Sequence, residues 1–257
     1  MNIRVQLARI GIFAAILLAW QLAPTYGLIN PEVISPLSKT IASFPKLNDP
    51  NNPQIPMGGI LPNLYVTLYE IAIALAISAA IGIAVGFCIG YYRRIGEAYE
   101  PLIYALNAIP AVVLYPILYL TLGFGPEPAI ALAVINGAFP LIIISAAGFR
   151  QVKAGYINTA KSFGASDLQI LSRVLLPSAG PNIMSGIRLA FGSVVISVIV
   201  AQILASRSGL GTIIDNTAQN LNIDQMYAGI IIVILVAFGA YFLITQIERR
   251  LMPYASK

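Results

Sequence analysis

The 257-residue chain contains no histidine, a single cysteine (Cys88) and only 10% charged residues. Without histidine the chain cannot build a triad, relay or metal site that needs imidazole, and one cysteine cannot form a disulfide framework. Soluble globular proteins carry about 25% charged residues, so the low charge nearly excludes that class. Hydrophobic residues instead make up 58% of the chain, and the mean hydropathy is +0.82. This composition indicates a polytopic membrane protein that serves in transport, anchoring or scaffolding.

Six apolar runs are long enough to cross a bilayer, which takes about 20 residues. The first run follows two arginines and resembles a signal peptide, but Gln21-Leu22-Ala23 before Pro24 is a poor cleavage site. We therefore interpret it as an uncleaved span. The predicted spans are Ile10–Leu28, Leu64–Tyr91, Leu102–Leu122, Ala129–Gly148, Ile187–Ala205 and Tyr227–Ile247.

The basic residues predict the orientation of these spans. With the N-terminus inside, the outer side holds only Lys39, Lys46 and Arg207. The remaining twelve basic residues fall on the cytoplasmic side, as expected when positive loops stay inside. An even number of spans then places both termini in the cytoplasm. The cytoplasmic set is Arg4, Arg9, Arg93, Arg94, Arg150, Lys153, Lys161, Arg173, Arg188, Arg249, Arg250 and Lys257.

This topology divides the chain into three parts. Residues 1–28 form an N-terminal segment with the first transmembrane helix, residues 29–63 an outward-facing loop, and residues 64–257 a transmembrane core. The outward-facing loop is rich in proline and asparagine, and its segment Ser38–Phe44 is predicted to form a short helix on the membrane surface. The core contains a long cytoplasmic loop, residues 149–186, which is longer than a helical hairpin needs.

The pattern of the 149–186 loop predicts two short helices separated by Gly164. The first covers Asn158–Phe163, and the second begins at a capping box formed by Ser166-Asp167-Leu168-Gln169. Pro177 is expected to end the second helix. Leucines 168, 171 and 175 fall on one face of it. A helix–turn–helix of this kind suits a docking device, and composition alone leaves a plain connector equally open.

The same loop resembles a known motif. The residues Asn158-Thr159-Ala160-Lys161-Ser162-Phe163-Gly164-Ala165-Ser166, followed by Leu175-Leu176-Pro177, resemble the EAA loop of ATP-binding-cassette importer permeases. In that family the loop carries Glu-Ala-Ala, three further residues, a glycine, and a Leu-Pro about a dozen residues later. Similar flanking sequence is found at Pro181, Gly186-Ile187-Arg188-Leu189 and Ser208-Gly209-Leu210-Gly211.

Two further segments point to one branch of that family. Tyr91-Tyr92-Arg93-Arg94 and Pro101-Leu102-Ile103-Tyr104 are similar to the branch that imports sulfonates, taurine, nitrate and related small molecules. The chain departs from the family at three positions: Asn158 replaces the motif's glutamate, Thr159 replaces its second residue, and Gln202 stands where many relatives have glutamate. The first two departures remove the acidic contact to the ATPase that the motif implies but keep the glycine that shapes the loop. Gln202 can still form hydrogen bonds within the bundle but cannot carry charge.

The resemblance implies an all-α membrane protein with six transmembrane helices, the type I importer permease fold and cytoplasmic coupling helices. It implies a permease subunit without catalytic residues, in the plasma membrane of a prokaryote, working with cytoplasmic ATPase subunits, an extracytoplasmic binding protein and a second permease. A homodimer is preferred to a pair with a paralogue, and no nucleic-acid partner is expected. ATP and magnesium belong to the ATPase, since this chain lacks the Gly-x4-Gly-Lys-Ser/Thr pattern. The implied ATPase-docking residues are Asn158, Thr159, Ala160, Lys161, Phe163, Gly164, Ala165, Ser166 and Asp167.

Three other functions fit the sequence less well than an ATP-driven importer: a secondary transporter, a membrane enzyme and a scaffold. A secondary transporter driven by ions commonly carries internal repeats and ionisable residues near the midplane, and the sequence shows neither. An integral-membrane enzyme would need paired carboxylates, histidine or a metal cluster. A pure scaffold would not need polar residues at bilayer depth. The substrate is expected to be a small polar solute, with a small anion such as a sulfonate, taurine or nitrate as the favoured class.

Small residues recur along the second and fifth spans. Ser78, Gly82, Gly86 and Gly90 lie four residues apart, which lets a neighbouring helix approach closely. We favour packing over substrate contact for this row. The fifth span repeats the spacing with Gly186 and Ala190, and adds a row of Ser193, Ser197 and Ala201.

A set of neutral polar side chains supplies the candidates for the translocation pathway. Polar residues at this depth usually face the bundle or a cavity. Each one separately is more readily explained as structural, whereas together they form a hydrogen-bonding group, in a region where Pro110 and Pro116 are expected to bend the third span. The candidates are Asn107, Tyr115, Tyr119, Asn136, Ser193, Ser197 and Gln202.

Three charged residues near the spans have open roles. Glu70 is the one acid within a predicted span, and it either binds a cation or proton or reaches water at the nearby interface. Arg188 is expected to anchor the inner end of the fifth span to a lipid headgroup or to the loop. Arg207 and the turn Gly209-Leu210-Gly211 face outward in this topology, where they are candidates to contact a binding protein.

Overall fold

The structure, a computed structural model, describes residues 3–251, and every regular element in that part is a helix. The basic residue Lys257, assigned above to the cytoplasmic side, lies outside this range. Shorter 3-10 turns cover Phe44–Asn48, Pro56–Gly58 and Ala111–Leu114. The helices are α1 (Ile3–Thr25), α2 (Leu37–Ser43), α3 (Ile60–Tyr91), α4 (Arg93–Asn107), α5 (Tyr115–Leu122), α6 (Glu127–Arg150), α7 (Ala154–Ser162), α8 (Asp167–Ile170), α9 (Leu176–Ala205), α10 (Leu210–Gln219) and α11 (Ile223–Leu251).

Five of these helices are long and apolar enough to cross a membrane, and the number is six if a bent pair of helices is counted as one span. The prediction of one continuous third span over Leu102–Leu122 is wrong in its shape. The chain there forms Arg93–Asn107 and Ala111–Leu122, which meet at 79°. Pro110 explains the break, because it lacks an N–H and disfavours helical backbone in the residue before it. Pro116 does not add a bend, since it lies in the first turn of α5, where the missing N–H costs nothing.

The structure contains two compact units, the first built from the described parts of Met1–Val66 and Gln202–Leu235. The predicted short helix of the outward-facing loop is confirmed as α2. The loop is tied to its own unit by hydrogen bonds: Trp20 Nε1 donates to the Ser35 carbonyl (2.9 Å), and the Ser35 hydroxyl donates to the Asp224 carboxylate (2.6 Å). These bonds give the outer loop a defined conformation despite its proline-rich composition.

The second unit comprises Thr67–Ala201 and the described part of Val236–Lys257. Its core is a cluster of small and branched residues from α3, α6 and α9. Close approach of these helices follows from the small residues at their contacts. The fully buried members include Ala74, Ala133, Val194 and Val198.

The row of small residues on α3 packs against α6 of the same unit. A Cβ added at Gly82 would lie 2.5 Å from Leu141 Cγ, and one at Gly90 would lie 2.5 Å from the Ala146 carbonyl oxygen. Ser78, at the start of the row, donates a hydrogen bond of 3.3 Å to the Val134 carbonyl. The two backbones therefore approach more closely than any larger side chain would allow.

Pro177 does not end the second helix of the 149–186 loop, contrary to expectation. A π-helical turn over Leu171–Leu175 links α8 to α9, and the helical path runs from Asp167 to Ala205. The wider π turn accommodates the proline ring, which in a regular α-turn would clash with the carbonyl four residues earlier. The loop is thus continuous with the fifth predicted span.

Candidate functional site

The 149–186 loop, which we call the coupling loop, is shaped by Gly164. The Gly164 N–H donates to the Lys161 carbonyl (2.9 Å) and the Ala165 N–H to the Ala160 carbonyl (3.0 Å). These two bonds form a Schellman motif that closes α7, with Gly164 at φ +76°. Glycine is favoured there because other residues resist this left-handed conformation. No atom lies within 4 Å of a Cβ built on Gly164, so the position is exposed. Any other residue there would have a strained backbone, because it would have to adopt the left-handed conformation.

The next helix begins at the predicted capping box, which the structure confirms. The Ser166 hydroxyl accepts from the Gln169 N–H (3.4 Å), and the Gln169 side chain accepts from the Ser166 N–H (2.8 Å). Together with the Schellman motif, the box fixes the chain on both sides of Gly164. The turn is therefore held by its own backbone bonds.

The coupling loop has a buried side and an exposed side. Ala160 and Ala165 pack with Ile157 against a cluster around Ile170 and Leu175. The expectation that Leu168 shares this face with Leu171 and Leu175 is wrong, because the π turn shifts the angular register and leaves Leu168 74% exposed. The exposed members of the predicted docking set are Asn158, Thr159, Lys161, Phe163, Gly164, Ser166 and Asp167.

Two large apolar side chains stand out on the exposed side. Phe163 is 87% exposed and lies beside Gly164, and Leu168 follows within one turn of α8. Lys161 and Asp167 flank them without an ion pair among the described residues. An apolar centre with a polar surround is typical of a protein interface.

Three of the candidate pathway residues are joined by hydrogen bonds. Asn136 Nδ2 donates to the Ser197 hydroxyl at 2.7 Å, and that hydroxyl donates to the Ser193 carbonyl at 2.8 Å. Asn136 and Ser193 are half-buried, whereas Ser197 is buried. The structure thus brings these three together, and Asn136 and Ser193 are more accessible than Ser197.

The other candidates separate into buried and accessible residues. Tyr115 is buried, and its hydroxyl donates to the Ala201 carbonyl at 2.9 Å. Gln202 is 1% exposed, and its side chain accepts from the Gly211 N–H at 2.9 Å. These two contacts, like the burial of Ser197, favour structural roles over contact with a solute. Tyr119 is half-buried with its ring 4.7 Å from that of Phe124, and Asn107 is exposed.

Glu70 does not reach water, contrary to one of its two interpretations. The residue is 1% exposed. A carboxylate at this depth is costly unless it is compensated within the protein. The described residues contain no group of histidine, cysteine, aspartate or glutamate side chains able to hold a metal ion.

Arg188 has a protein partner rather than a lipid headgroup. Its guanidinium pairs with the Glu248 carboxylate and donates to the Ser185 hydroxyl at 3.0 Å. The pair joins α9 to α11 and is largely buried on the glutamate side. Sequence reasoning missed Glu248 because its distance along the chain gave no signal of the pairing.

We expect Arg188→Leu to destabilise the chain by about 1–3 kcal/mol, because it leaves Glu248 without its charged partner in a poorly hydrated place. The double variant Arg188→Leu/Glu248→Leu should recover most of this loss. Thermal unfolding of the purified protein in detergent measures both. Equal stability of the single variant and the parent would show that the pair contributes nothing.

The predicted outward turn is buried in the first unit. Leu210 and both glycines are inaccessible, and the Gly209 N–H donates to the Asn63 side chain at 2.7 Å. Asn63 also donates to the carbonyls of Pro56 (2.5 Å) and Gly59 (2.7 Å). The turn therefore has no free surface for a binding protein, and of the two predicted features only Arg207 is exposed.

The chain is similar in sequence to a known family of transport proteins. Residues 72–253 match the family described as binding-protein-dependent transport system inner membrane component. The chain is 27% identical to the putative aliphatic sulfonates transport permease protein SsuC of Bacillus subtilis, over 94% of this chain and 85% of that protein. It is 29% identical to the taurine transport system permease protein TauC of Escherichia coli, over 95% and 88%.

Solved structures share the fold. A chain of a bacterial ABC transporter involved in the import of the acidic polysaccharide alginate superposes with a TM-score of 0.65, covering 96% of each chain at 16% identity. A chain of the MetNI methionine ABC transporter, in an inward-facing conformation, gives 0.64 over 77% of this chain and 96% of its own, at 18% identity.

Proposed function

The chain belongs to the family of binding-protein-dependent transport system inner membrane components, and from this premise we propose that its coupling loop seats the ATPase subunit. It is the permease subunit of an ABC importer, a multi-pass inner membrane protein and not itself an ATPase. ATP with its magnesium would bind to the partner ATPase, which hydrolyses it. This chain contributes the translocation pathway. It also contributes the contact through which ATP hydrolysis in the ATPase moves the helices of that pathway.

The exposed apolar pair beside Gly164 is the observation that carries the docking proposal. Phe163 and Leu168 expose large apolar surface on a turn that is fixed by two sets of backbone bonds. A rigid apolar anchor of this kind loses little conformational entropy when a partner covers it. Because the helical path continues from Asp167 to Ala205, a displacement of the turn would be carried directly into α9.

We place this loop in the cytoplasm, together with both termini. The twelve-to-three distribution of basic residues supports this orientation. We also propose a dimer of two copies around one pathway. The mass of the purified complex tests the dimer, since one copy of this chain per pair of ATPase subunits would contradict it.

A small anion, such as taurine or another sulfonate, is the substrate that we propose. The relatives named for sulfonate and taurine transport support this class. The accessible polar groups of the candidate pathway are neutral, and an amide such as that of Asn136 donates hydrogen bonds to an anion without trapping it by charge. Selectivity would then rest mainly on the binding protein.

A matched pair of variants tests whether Asn136 lines the pathway. Asn136→Ala and Ser197→Ala remove the same 2.7 Å hydrogen bond, but only Asn136 is accessible. We expect both to lose about 1 kcal/mol of stability, and only Asn136→Ala to change the taurine concentration for half-maximal uptake, by about fivefold or about 1 kcal/mol. Uptake into reconstituted vesicles that contain the whole transporter measures this. Equal effects of the two variants on uptake would assign Asn136 a structural role.

A further inference from the structure

An open cavity of about 540 Å³ lies in the first unit between the outward-facing loop and the segment that joins α10 to α11. Its walls come from residues 30–46 on one side and 221–225 on the other. In the orientation proposed above, it opens to the outside of the membrane. The residues that matter for its chemistry are Lys39, Lys46, Leu221, Asn222 and Gln225.

The walls of this outer cavity are held in place by several hydrogen bonds. The hydroxyls of Ser35 and Ser43 donate to the carboxylate and the carbonyl of Asp224, at 2.6 and 2.9 Å. On the opposite wall, Asn222 donates to the Gln54 side chain at 2.8 Å, and Asn52 donates to Gln225 at 3.0 Å. The cavity is therefore preformed, which lowers the entropic cost of binding a partner.

The two lysines of the cavity are available to a partner. Both are exposed, and neither forms an ion pair among the residues that the structure describes. They are two of the three basic residues on the predicted outer side. The wall also contains two acids, the exposed Glu32 and Asp224, whose carboxylate accepts from Ser35. Unpaired lysines at the mouth of a cavity complement carboxylates on the partner and speed its association.

Leu221 is the unusual residue of the rim. It has φ +57° and closes α10 in a Schellman motif, where the Leu221 N–H donates to the Ala218 carbonyl (3.0 Å) and the Asn222 N–H to the Thr217 carbonyl (2.9 Å). Glycine or asparagine is the usual residue at this position, because a branched side chain is strained there. Leu221 is nevertheless 82% exposed, so its side chain gains nothing from burial in the chain. A strained residue with an exposed apolar side chain indicates a function outside the fold.

We propose that this outer cavity is the docking site of the extracytoplasmic binding protein, with partner carboxylates on Lys39 and Lys46 and a partner apolar pocket over Leu221. The proposal rests on the importer function given above and adds the surface through which that partner is recognised. A soluble protein is a more suitable partner for this cavity than a small solute, because the two lysines and the apolar side chain of Leu221 are exposed. Apolar anchors of this kind dominate the affinity of protein interfaces.

The test uses the whole transporter, reconstituted with its ATPase and binding protein. The quantity measured is the binding-protein concentration that gives half-maximal stimulation of ATP hydrolysis. We expect Lys39→Glu/Lys46→Glu to raise this concentration about tenfold or more, with a smaller effect at high salt. Leu221→Gly should raise it about fivefold while the melting temperature stays equal to or above the parent's, because glycine fits the left-handed backbone. Leu28→Ala serves as the control, since Leu28 is exposed outside this cavity.

The outcomes separate the docking site from the importer function. An unchanged half-maximal concentration in the cavity variants, or an equal increase in Leu28→Ala, would overturn the docking site while leaving the importer function intact. A lower maximum at an unchanged half-maximal concentration would also overturn it, since that result reports coupling rather than docking. If the binding protein does not stimulate the parent complex at any concentration, the importer function fails and the docking site fails with it.

Discussion

Gly86→Leu abolishes the folded membrane protein, and this is the largest effect that we expect of any single substitution. A Cβ at Gly86 would lie 2.6 Å from Ser145 Cβ, 3.0 Å from the Ile142 carbonyl oxygen and 3.2 Å from the Ala146 nitrogen. Two of these three atoms belong to the α6 backbone, which cannot rotate away as a side chain can. Overpacking usually costs about 1–3 kcal/mol, and we expect more than about 3 kcal/mol here because α3 and α6 must separate.

Gly11→Leu is the matched control for this result. Gly11 lies in α1 with no atom within 4 Å of a built Cβ, so the same side chain there meets no neighbour. Size-exclusion chromatography of detergent extracts should show a monodisperse peak for Gly11→Leu and aggregate or no protein for Gly86→Leu. A well-folded Gly86→Leu variant with altered uptake would instead place this row of small residues at the pathway.

The second large effect concerns the coupling loop. We expect Phe163→Ser/Leu168→Ser to weaken retention of the ATPase by about thirtyfold or more. Burying a large apolar side chain contributes about 1.5–3 kcal/mol, and the double variant removes two of them. Because both side chains are exposed in this chain, the substitutions should leave its own stability unchanged.

Tyr99→Ser controls for the general loss of an exposed aromatic residue, since Tyr99 is exposed on α4 outside the coupling loop. Titration of the purified ATPase onto the immobilised chain measures the affinity directly. Full retention by the double variant would exclude this apolar pair as the anchor, and the same loss in Tyr99→Ser would show that the effect is not specific to the loop.

Local patterns in the sequence predicted the helices and the shape of the coupling loop. Glycine 164 and the capping box at Ser166 act through bonds to residues within five positions, so their geometry follows from the sequence nearby. The row of small residues on α3 likewise predicted close contact with another helix, because the spacing of these residues is a local pattern. The pattern does not identify α6 as that helix. The span pattern likewise identified apolar runs and the proline that breaks one of them.

The remaining features depend on residues far apart in the chain. Nothing near Arg188 in sequence identifies Glu248 as its partner, and nothing near Gly209 identifies Asn63. Asn136 is half-buried, whereas Ser197 and Gln202 are buried. The degree of burial depends on how the helices pack against one another, which the local sequence does not show. The π turn that keeps Pro177 inside the helix has no pattern of its own, and it is also why Leu168 is exposed. Tertiary contacts therefore decide which polar residues remain candidates for the pathway.

The measurement that tests the central claim most directly is purification of the C-terminally tagged chain from its native host after detergent solubilisation. A permease that docks its ATPase through the coupling loop should bring down that ATPase in equal amount. The ATPase should be lost with Gly164→Trp and kept with Gly155→Trp, since both glycines have open surroundings but only Gly164 forms the αL turn. A chain that purifies without an ATPase, and that supports ion-driven uptake in vesicles lacking ATP, would contradict the account.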